Sequence, residues 1–281
     1  RYRTPHTPFP HAQYLSNGHL VSVVTNAGGG HILAGEMALT RVRRDATCDQ
    51  GSAFIYLRDV WSGEVWSAAY QPTRTEPDDY HVTFAPDRAT FRRRDGTMAT
   101  HLDITVSIED NVEVRRLTVT NHGARLREID VTSYMEVVLG TPEGDLSHPA
   151  FGKLFVETEY LAASAALMCH RRMRDPDERP LWAVHVVSLE GRSQGPVEWE
   201  SDRLAFLGRG HDPSDAVAMD GRALSGTTGN VLDPILSLRQ RIRVAPGSAV
   251  RLCFSTGMAA DRDTALALAH KYRDPASATR A

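Results

Sequence analysis

The sequence predicts an all-β sandwich. Three observations carry that prediction. Apolar and polar residues alternate with period two along most of the chain, turn signals separate the alternating runs, and a helical pattern is confined to one stretch near the C-terminus.

The clearest alternation lies within residues 89–107. Met98, Thr100, Leu102, Ile104 and Val106 share one face; Ala99, His101, Asp103 and Thr105 share the other. Asp95-Gly96 precedes this run and predicts a hairpin, because the mirror-image turns that join two strands tightly need positive φ. Ile129, Val131, Ser133, Met135, Val137 and Leu139 repeat the pattern, as do Val250, Leu252, Phe254 and Thr256. Pro246-Gly247 turns the chain into the last of these runs. Further strands are expected over 20–25, 53–60, 80–84, 112–120, 154–159, 181–189 and 197–200. Within 112–120 the apolar phase slips by one residue, from Val112 and Val114 to Leu117 and Val119. A β-bulge near Arg115-Arg116 would keep the core face inward across that slip.

The one predicted helix starts near Asp263, the candidate N-cap, and runs through Ala265, Leu266, Leu268, Ala269 and Tyr272. It stops before Asp274-Pro275, because the residue ahead of a proline avoids the α region. No alternation of strands with helices suggests a doubly wound sheet. Residues 171–180 and 211–229 read as surface excursions. The sandwich domain is therefore assigned to 1–262 and the C-terminal helix to 263–281.

Composition fits this picture. The chain has 281 residues, of which 41% are apolar, and a formal net charge of −3. A single sandwich of about 250 residues is ordinary. A balanced charge offers no electrostatic pull toward nucleic acid. No apolar run approaches the roughly 20 residues that span a bilayer. The chain opens on Arg1-Tyr-Arg-Thr-Pro, without an initiator Met or a signal-peptide core, and reads as the interior of a longer polypeptide. Cys48, Cys169 and Cys253 are odd in number and far apart. They suggest neither a disulfide framework nor a zinc site, and a reducing compartment suits them. Neither a cofactor nor a metal is expected.

Several constellations could carry chemistry. Glu157 and Glu159 share a strand face, and a glycosidase needs two carboxyl groups about 5–10 Å apart; a solvated outer face is the simpler reading. Asp45 and Asp49 are expected to pair with Arg41, Arg43 and Arg44. His6 and His11 match no helical zinc motif. His148, His170 and His185 lie on or beside strands. Ala27-Gly28-Gly29-Gly30 suits a tight turn or a close backbone approach better than an anion cradle, since no helix follows it. Trp61, Trp66, Trp182 and Trp199 could stack on sugar rings, but Trp66 and Trp182 sit in strand-like runs and are expected in the core.

A longer series of motifs is more specific. It runs Thr7-Pro-Phe-Pro-His-Ala-Gln-Tyr-Leu-Ser-Asn-Gly18, Thr25-Asn-Ala-Gly-Gly-Gly30, Leu39-Thr-Arg-Val-Arg-Arg-Asp45, Asp49-Gln-Gly-Ser-Ala-Phe-Ile-Tyr-Leu-Arg-Asp59 and Val65-Trp-Ser-Ala68. Later stretches continue it: Glu113-Val-Arg-Arg-Leu-Thr-Val-Thr-Asn121, Val131-Thr-Ser-Tyr134, His148-Pro-Ala-Phe-Gly-Lys-Leu-Phe155, Phe206-Leu-Gly-Arg-Gly210 and Val231-Leu-Asp-Pro-Ile235. Together they resemble the N-terminal sandwich domain of glycoside hydrolase family 94, formerly glycosyltransferase family 36, and within it the sandwich domains of cyclic β-1,2-glucan synthases.

The resemblance implies a super-β-sandwich of two large antiparallel sheets, like that of galactose mutarotase, with a C-terminal linker helix. It implies that the family's general acid and phosphate pocket belong to a downstream (α/α)6 barrel, so that no catalytic residue lies in this chain. The substrate-proximal loop would comprise Gly29, Gly30, Arg41, Arg43 and Asp49. Partners would be a β-glucan oligosaccharide, the downstream domain of the same polypeptide and a second copy in a homodimer. The location would be the cytoplasmic face of an inner-membrane-associated bacterial protein. His31 and Val42 stand where family members carry aromatics, which argues against direct sugar contact by this loop. Two other readings follow from the residues. One is a self-contained aldose epimerase using Glu157 with His148, His170 or His185. The other is a purely structural interaction module.

Overall fold

The computed structural model describes residues 1–281 except 44–50, 52, 174, 176, 177, 179 and 192. Arg44, Asp45, Cys48 and Asp49 therefore lie outside the described residues.

Eighteen strands and five helices follow one another among these residues. The strands begin with β1 (Ala12–Ser16), β2 (Leu20–Thr25), β3 (Gly30–Ala34), β4 (Met37–Thr40), β5 (Ala53–Asp59) and β6 (Val65–Ser67). They continue with β7 (Asp79–Phe84), β8 (Ala89–Asp95), β9 (Met98–Val106), β10 (Val112–Asn121) and β11 (Arg127–Gly140). The short helices α1 (Pro142–Ser147) and α2 (Pro149–Lys153) come next, then β12 (Val156–Leu161), β13 (Ala166–Arg171), β14 (Trp182–Glu190) and β15 (Glu198–Asp202). The chain closes with α3 (Arg203–Leu207), β16 (Gly229–Asn230), β17 (Pro234–Val244), β18 (Ala249–Ala259), α4 (Arg262–Arg273) and α5 (Pro275–Arg280).

These strands form two antiparallel sheets. The first has the order β1-β2-β3-β4-β11-β17-β15, with β5 paired to β11 and carrying β6. The second has the order β16-β12-β13-β14-β18-β10-β9-β8-β7. Strand β11 splits one edge between two partners: Ile129 to Met135 pair with β5, and Val137 and Gly140 pair with Thr40 and Ala38 of β4 across a register shift. The alternation predicted this architecture because each strand turns one apolar row inward. Leu102, Ile104, Leu117, Val131, Val137, Leu238 and Phe254 belong to the single core between the sheets. The hairpin of β8 and β9 closes through Gly96 and Thr97, with Asp95 opposite Met98. Gly96, at φ 57, holds the first loop position, where positive φ is needed.

The expected bulge at Arg115-Arg116 is absent. β10 keeps one register from Val112 opposite Gly257 to Thr120 opposite Ala249, and an equally regular one with β9. The phase slip has another cause. Glu113 and Arg115 occupy the core face as an ion pair at 2.6 Å. Val112 and Val114 point the other way and are covered by Leu268, Ala269, Tyr272 and Ala278 of α4 and α5. Both faces of β10 are thus buried, so apolar residues are admissible on either side.

Two further differences are local. Helix α4 is capped by Asp261, whose carboxylate accepts from Thr264 N at 2.8 Å. Asp263 instead sits in the first turn, where a negative charge still complements the helix dipole. The excursion over 211–229 contains a 3-10 turn, Val217–Asp220. It helps close an aromatic cluster of Phe54, Tyr56, Tyr134 and Phe206 on the outer face of the first sheet.

Candidate functional site

The outer face of β11 carries Tyr134, Glu136 and Val138 toward the end where β4 joins. Glu136 is 1% exposed and lies at the centre of three guanidiniums. Arg41 reaches it at 2.9 Å, Arg43 at 2.8 Å and Arg203 at 3.0 Å. The Tyr134 hydroxyl also donates to it, at 3.0 Å. Burial alone would raise the Glu136 pKa. Arg43, Arg41 and Arg203 outweigh that effect and hold it below the ordinary carboxylate value. Burial and the neighbouring Glu136 push the Tyr134 hydroxyl well up, so it stays a donor.

The network continues on both sides. Arg41 donates from Nε to Asp145 at the start of α1, at 2.9 Å. Arg203 approaches Asp233 at 3.7 Å, and Lys153 at the end of α2 meets Asp233 at 2.8 Å. Thr141 caps α1 by accepting from Gly144 N, and Pro142 and Pro149 open the two short helices, where a missing N–H is harmless. The charged chain thus ties the end of β4, β11, α1, α2 and α3 together. A cleft of about 940 Å³ lies beside it, lined in part by Met37, Val138, Asp145, His148, Lys153 and Arg171.

Of the predicted loop residues, Arg41 and Arg43 both enter this network. Their partners among the described residues are Glu136 and Asp145; the two aspartates expected beside them in sequence, Asp45 and Asp49, lie outside the described residues. Gly29 and Gly30 are buried beneath Gly51. A Cβ on Gly51 would lie 2.2 Å from Gly30 N, and one on Gly30 would lie 1.9 Å from Val23 O. Gly30 also has φ 152. The turn therefore needs glycine for a backbone-on-backbone contact. Asp49 lies outside the described residues.

The histidines and the other carboxylates go to different places. His185 is buried between the sheets, where it shares hydrogen bonds with Ser133 at 2.8 Å and Thr256 at 2.9 Å. Burial, helped by the Arg115 charge, pushes its pKa down to about 3. His148 lines the cleft. His170 stacks on Trp182 on the outer face of the second sheet and lies 3.7 Å from Glu157, which Arg172 also engages at 3.1 Å. Glu157 and His170 do meet, but neither lines the cleft. Glu159 pairs with Arg262 at the start of α4. Trp66 is in the core as expected. Trp182 is only partly buried and lies outside the core, while Trp199 stacks on Tyr160 at 3.6 Å. Among the described residues, no group of three or more His, Cys, Asp or Glu side chains is arranged to hold a metal ion. Cys169 and Cys253 are free and buried, and burial raises their thiols to about 12 and about 11.

Glu136, Arg203 and Asp233 were not singled out from the sequence. The only local sign was a glutamate on the even-numbered, outward face of a strand whose other face is core, and that sign suggests solvent rather than burial.

The family described as glycosyl hydrolase 94, supersandwich domain, matches residues 1–275. The chain belongs to that family. This supersandwich domain is 36% identical to the cyclic beta-(1,2)-glucan synthase NdvB of Rhizobium meliloti (strain 1021), over 93% of this chain and 9% of that protein. It is 27% identical to the solabiose phosphorylase of Paenibacillus borealis, over 96% of this chain and 34% of that protein. The chain thus spans from under a tenth to about a third of the length of these relatives. In structure it resembles a candidate aldose 1-epimerase from Escherichia coli K12, with a TM-score of 0.50 at 11% identity, covering 90% of this chain and 100% of that one. That likeness shows the galactose mutarotase-like fold. Among the described residues, no helix is long and apolar enough to cross a membrane.

Proposed function

We propose that this supersandwich domain is an accessory part of a β-glucan synthase or glycoside phosphorylase, which orders the entrance to a catalytic site formed elsewhere in the polypeptide. One observation carries the reading: Glu136, the buried carboxylate at the centre of the network beside the cleft, is held ionised. A general acid at neutral pH needs a raised pKa, and Glu136 has a lowered one. Three arginines turn it into a structural anchor. What the anchor fixes is the segment with Arg41 and Arg43, together with α1, α2 and α3 at the cleft.

In this reading the substrate-proximal loop comprises Gly29, Gly30, Arg41, Arg43 and Asp49, with a β-glucan oligosaccharide as the ligand it approaches. The downstream domain of the same chain and a second copy are its protein partners. The cytoplasmic face of a membrane-associated bacterial protein is the proposed location, and the buried thiols suit a reducing compartment. The activities of these relatives, glucan synthesis and phosphorolysis, supply the proposed reaction classes.

Titration calorimetry with β-1,2-glucan oligosaccharides tests the ligand. Binding that weakens in Arg41→Ala supports the loop's role. No binding, together with a dimer in solution, would favour a purely structural module. Polarimetry tests the main alternative. Enzyme-like acceleration of glucose mutarotation that disappears in Glu157→Gln would sink the accessory reading in favour of an epimerase.

A further inference from the structure

A second hollow, of about 120 Å³, lies next to the Glu136 network. Its lining includes Arg43, Arg74, Arg203, Gln71, Asp212 and Ser214. Two of its guanidiniums are already oriented. Arg43 holds Glu136 through Nη2, and Arg203 holds it through Nε. Among the described residues, Nε and Nη1 of Arg43 and Nη2 of Arg203 have no hydrogen-bond partner, and none of the three is among the buried unsatisfied atoms. They remain accessible donors.

Arg74 adds a separate observation. It closes a turn in which its N–H donates to Tyr70 O at 3.0 Å, and its φ is 56. The left-handed region is disfavoured for any residue with a Cβ and is usually given to glycine or asparagine. Here it is held by an exposed arginine that makes no ion pair among the described residues. Backbone strain of this kind accumulates at binding sites. Among the described residues the hollow is lined by one carboxylate, Asp212, whose Oδ1 accepts from both N and Oγ of Ser214 at 2.6 Å. Among the described residues, three arginines of the lining are thus set against two carboxylates, Glu136 behind the wall and Asp212, and both are already engaged.

We propose that this hollow binds a small tetrahedral oxyanion, either free phosphate or the phosphate of a monoester, on Arg43, Arg74 and Arg203. The planar fork of a guanidinium matches two oxygens of such an ion at once. The volume is several times the roughly 30 Å³ of one water, which is enough for a four-oxygen ion. Because Arg43 and Arg203 also hold Glu136, the bound ion would share its anchors with the wall of the large cleft. The proposal does not depend on the accessory function.

The test is titration calorimetry of the whole chain with inorganic phosphate and with glucose 1-phosphate, at ionic strength held constant with sodium chloride. One saturable site is expected, weakened at least about tenfold in Arg74→Gly. That variant removes the guanidinium and relaxes the turn, so its thermal midpoint should not fall. Arg74→Lys should retain part of the affinity. Equal affinity for the two probes assigns the free ion; tighter binding of the ester assigns a monoester. No saturable heat with either probe overturns the proposal, as does unchanged affinity in Arg74→Gly.

Discussion

Two buried glutamates anchor two polar assemblies, and their surroundings differ. Glu113 lies between the sheets, fully buried, and its partner Arg115 is only 6% exposed. Ser22 donates to the same carboxylate, Arg115 also donates to Ala53 O, and His185 lies close enough to feel the Arg115 charge. Glu136 lies outside the first sheet, and two of its three arginines, Arg43 and Arg203, are 30% and 29% exposed. One assembly is closed, a pair almost wholly removed from solvent. The other is an anchor whose cations face two hollows. The lesson is that burial of the carboxylate does not separate a structural ion pair from a site; the exposure of its partners does.

The largest expected effect tests the closed assembly. Glu113→Gln leaves the Arg115 charge buried and unpaired, a change that costs about 3–5 kcal/mol. Urea denaturation at unchanged m measures it, and a loss below about 1 kcal/mol would mean that water reaches the pair.

The next effect concerns His185. Its folded pKa is about 3, against an ordinary value of 6.5, so between these values the unfolded chain takes up a proton that the fold refuses. Stability should therefore decline as pH falls from 6.5 toward 3. The slope approaches about 1.4 kcal/mol per pH unit at most. His185→Gln should flatten this limb when denaturation midpoints are compared across the range. An unaltered slope in the variant would assign the loss to other groups.

Glu136→Gln should cost less than Glu113→Gln, about 2 kcal/mol, because Arg43 and Arg203 can turn to water. Its pH dependence has a defined sign. The folded pKa is depressed below 4.5, so the contribution is present above that value and is lost as pH falls through the folded pKa. Parent and variant stabilities should therefore converge in acid. Raising sodium chloride to about 1 M should shrink the Glu136→Gln penalty and leave that of Glu113→Gln in place. Equal salt sensitivity would erase the distinction between the two assemblies.

The smallest effect is a gain. Arg74→Gly should raise stability by about 0.5 kcal/mol, since relief of the left-handed backbone slightly exceeds the entropy cost of glycine. A thermal melt reads it, and a destabilised variant would show that the Arg74 side chain supports the fold.

Much of the fold was legible in the sequence. The alternations at 98–106, 129–139 and 250–256 all became strands because their inward rows are mainly apolar, with Thr100, Ser133 and Thr256 the polar members. Residues 12–16, 30–34 and 37–40 were not recognised as strands. They are short, and β3 starts at a glycine that is needed for a contact with Val23. The slip at Arg115 is visible in the sequence, but its cause is not. A bulge and a buried ion pair leave the same trace in hydrophobicity, and only the cover provided by α4 and α5 distinguishes them.

The candidate site was legible in part. Arg41 and Arg43 were picked out through the resemblance. Their partner Glu136 was not, because it lies 93 residues or more away in sequence. Periodicity reports which side of a strand is apolar, a property of residues two apart. It is silent on which distant charges meet, since that depends on strand order, on the split edge of β11 and on where the short helices fold back. The sequence by itself determined that this chain is a sandwich, because alternation and turns are local consequences of pleating. The tertiary structure alone decided that one glutamate became a sealed pair and the other an open anchor. The energy of a buried charge depends on what surrounds it, and those surroundings are assembled from the whole chain.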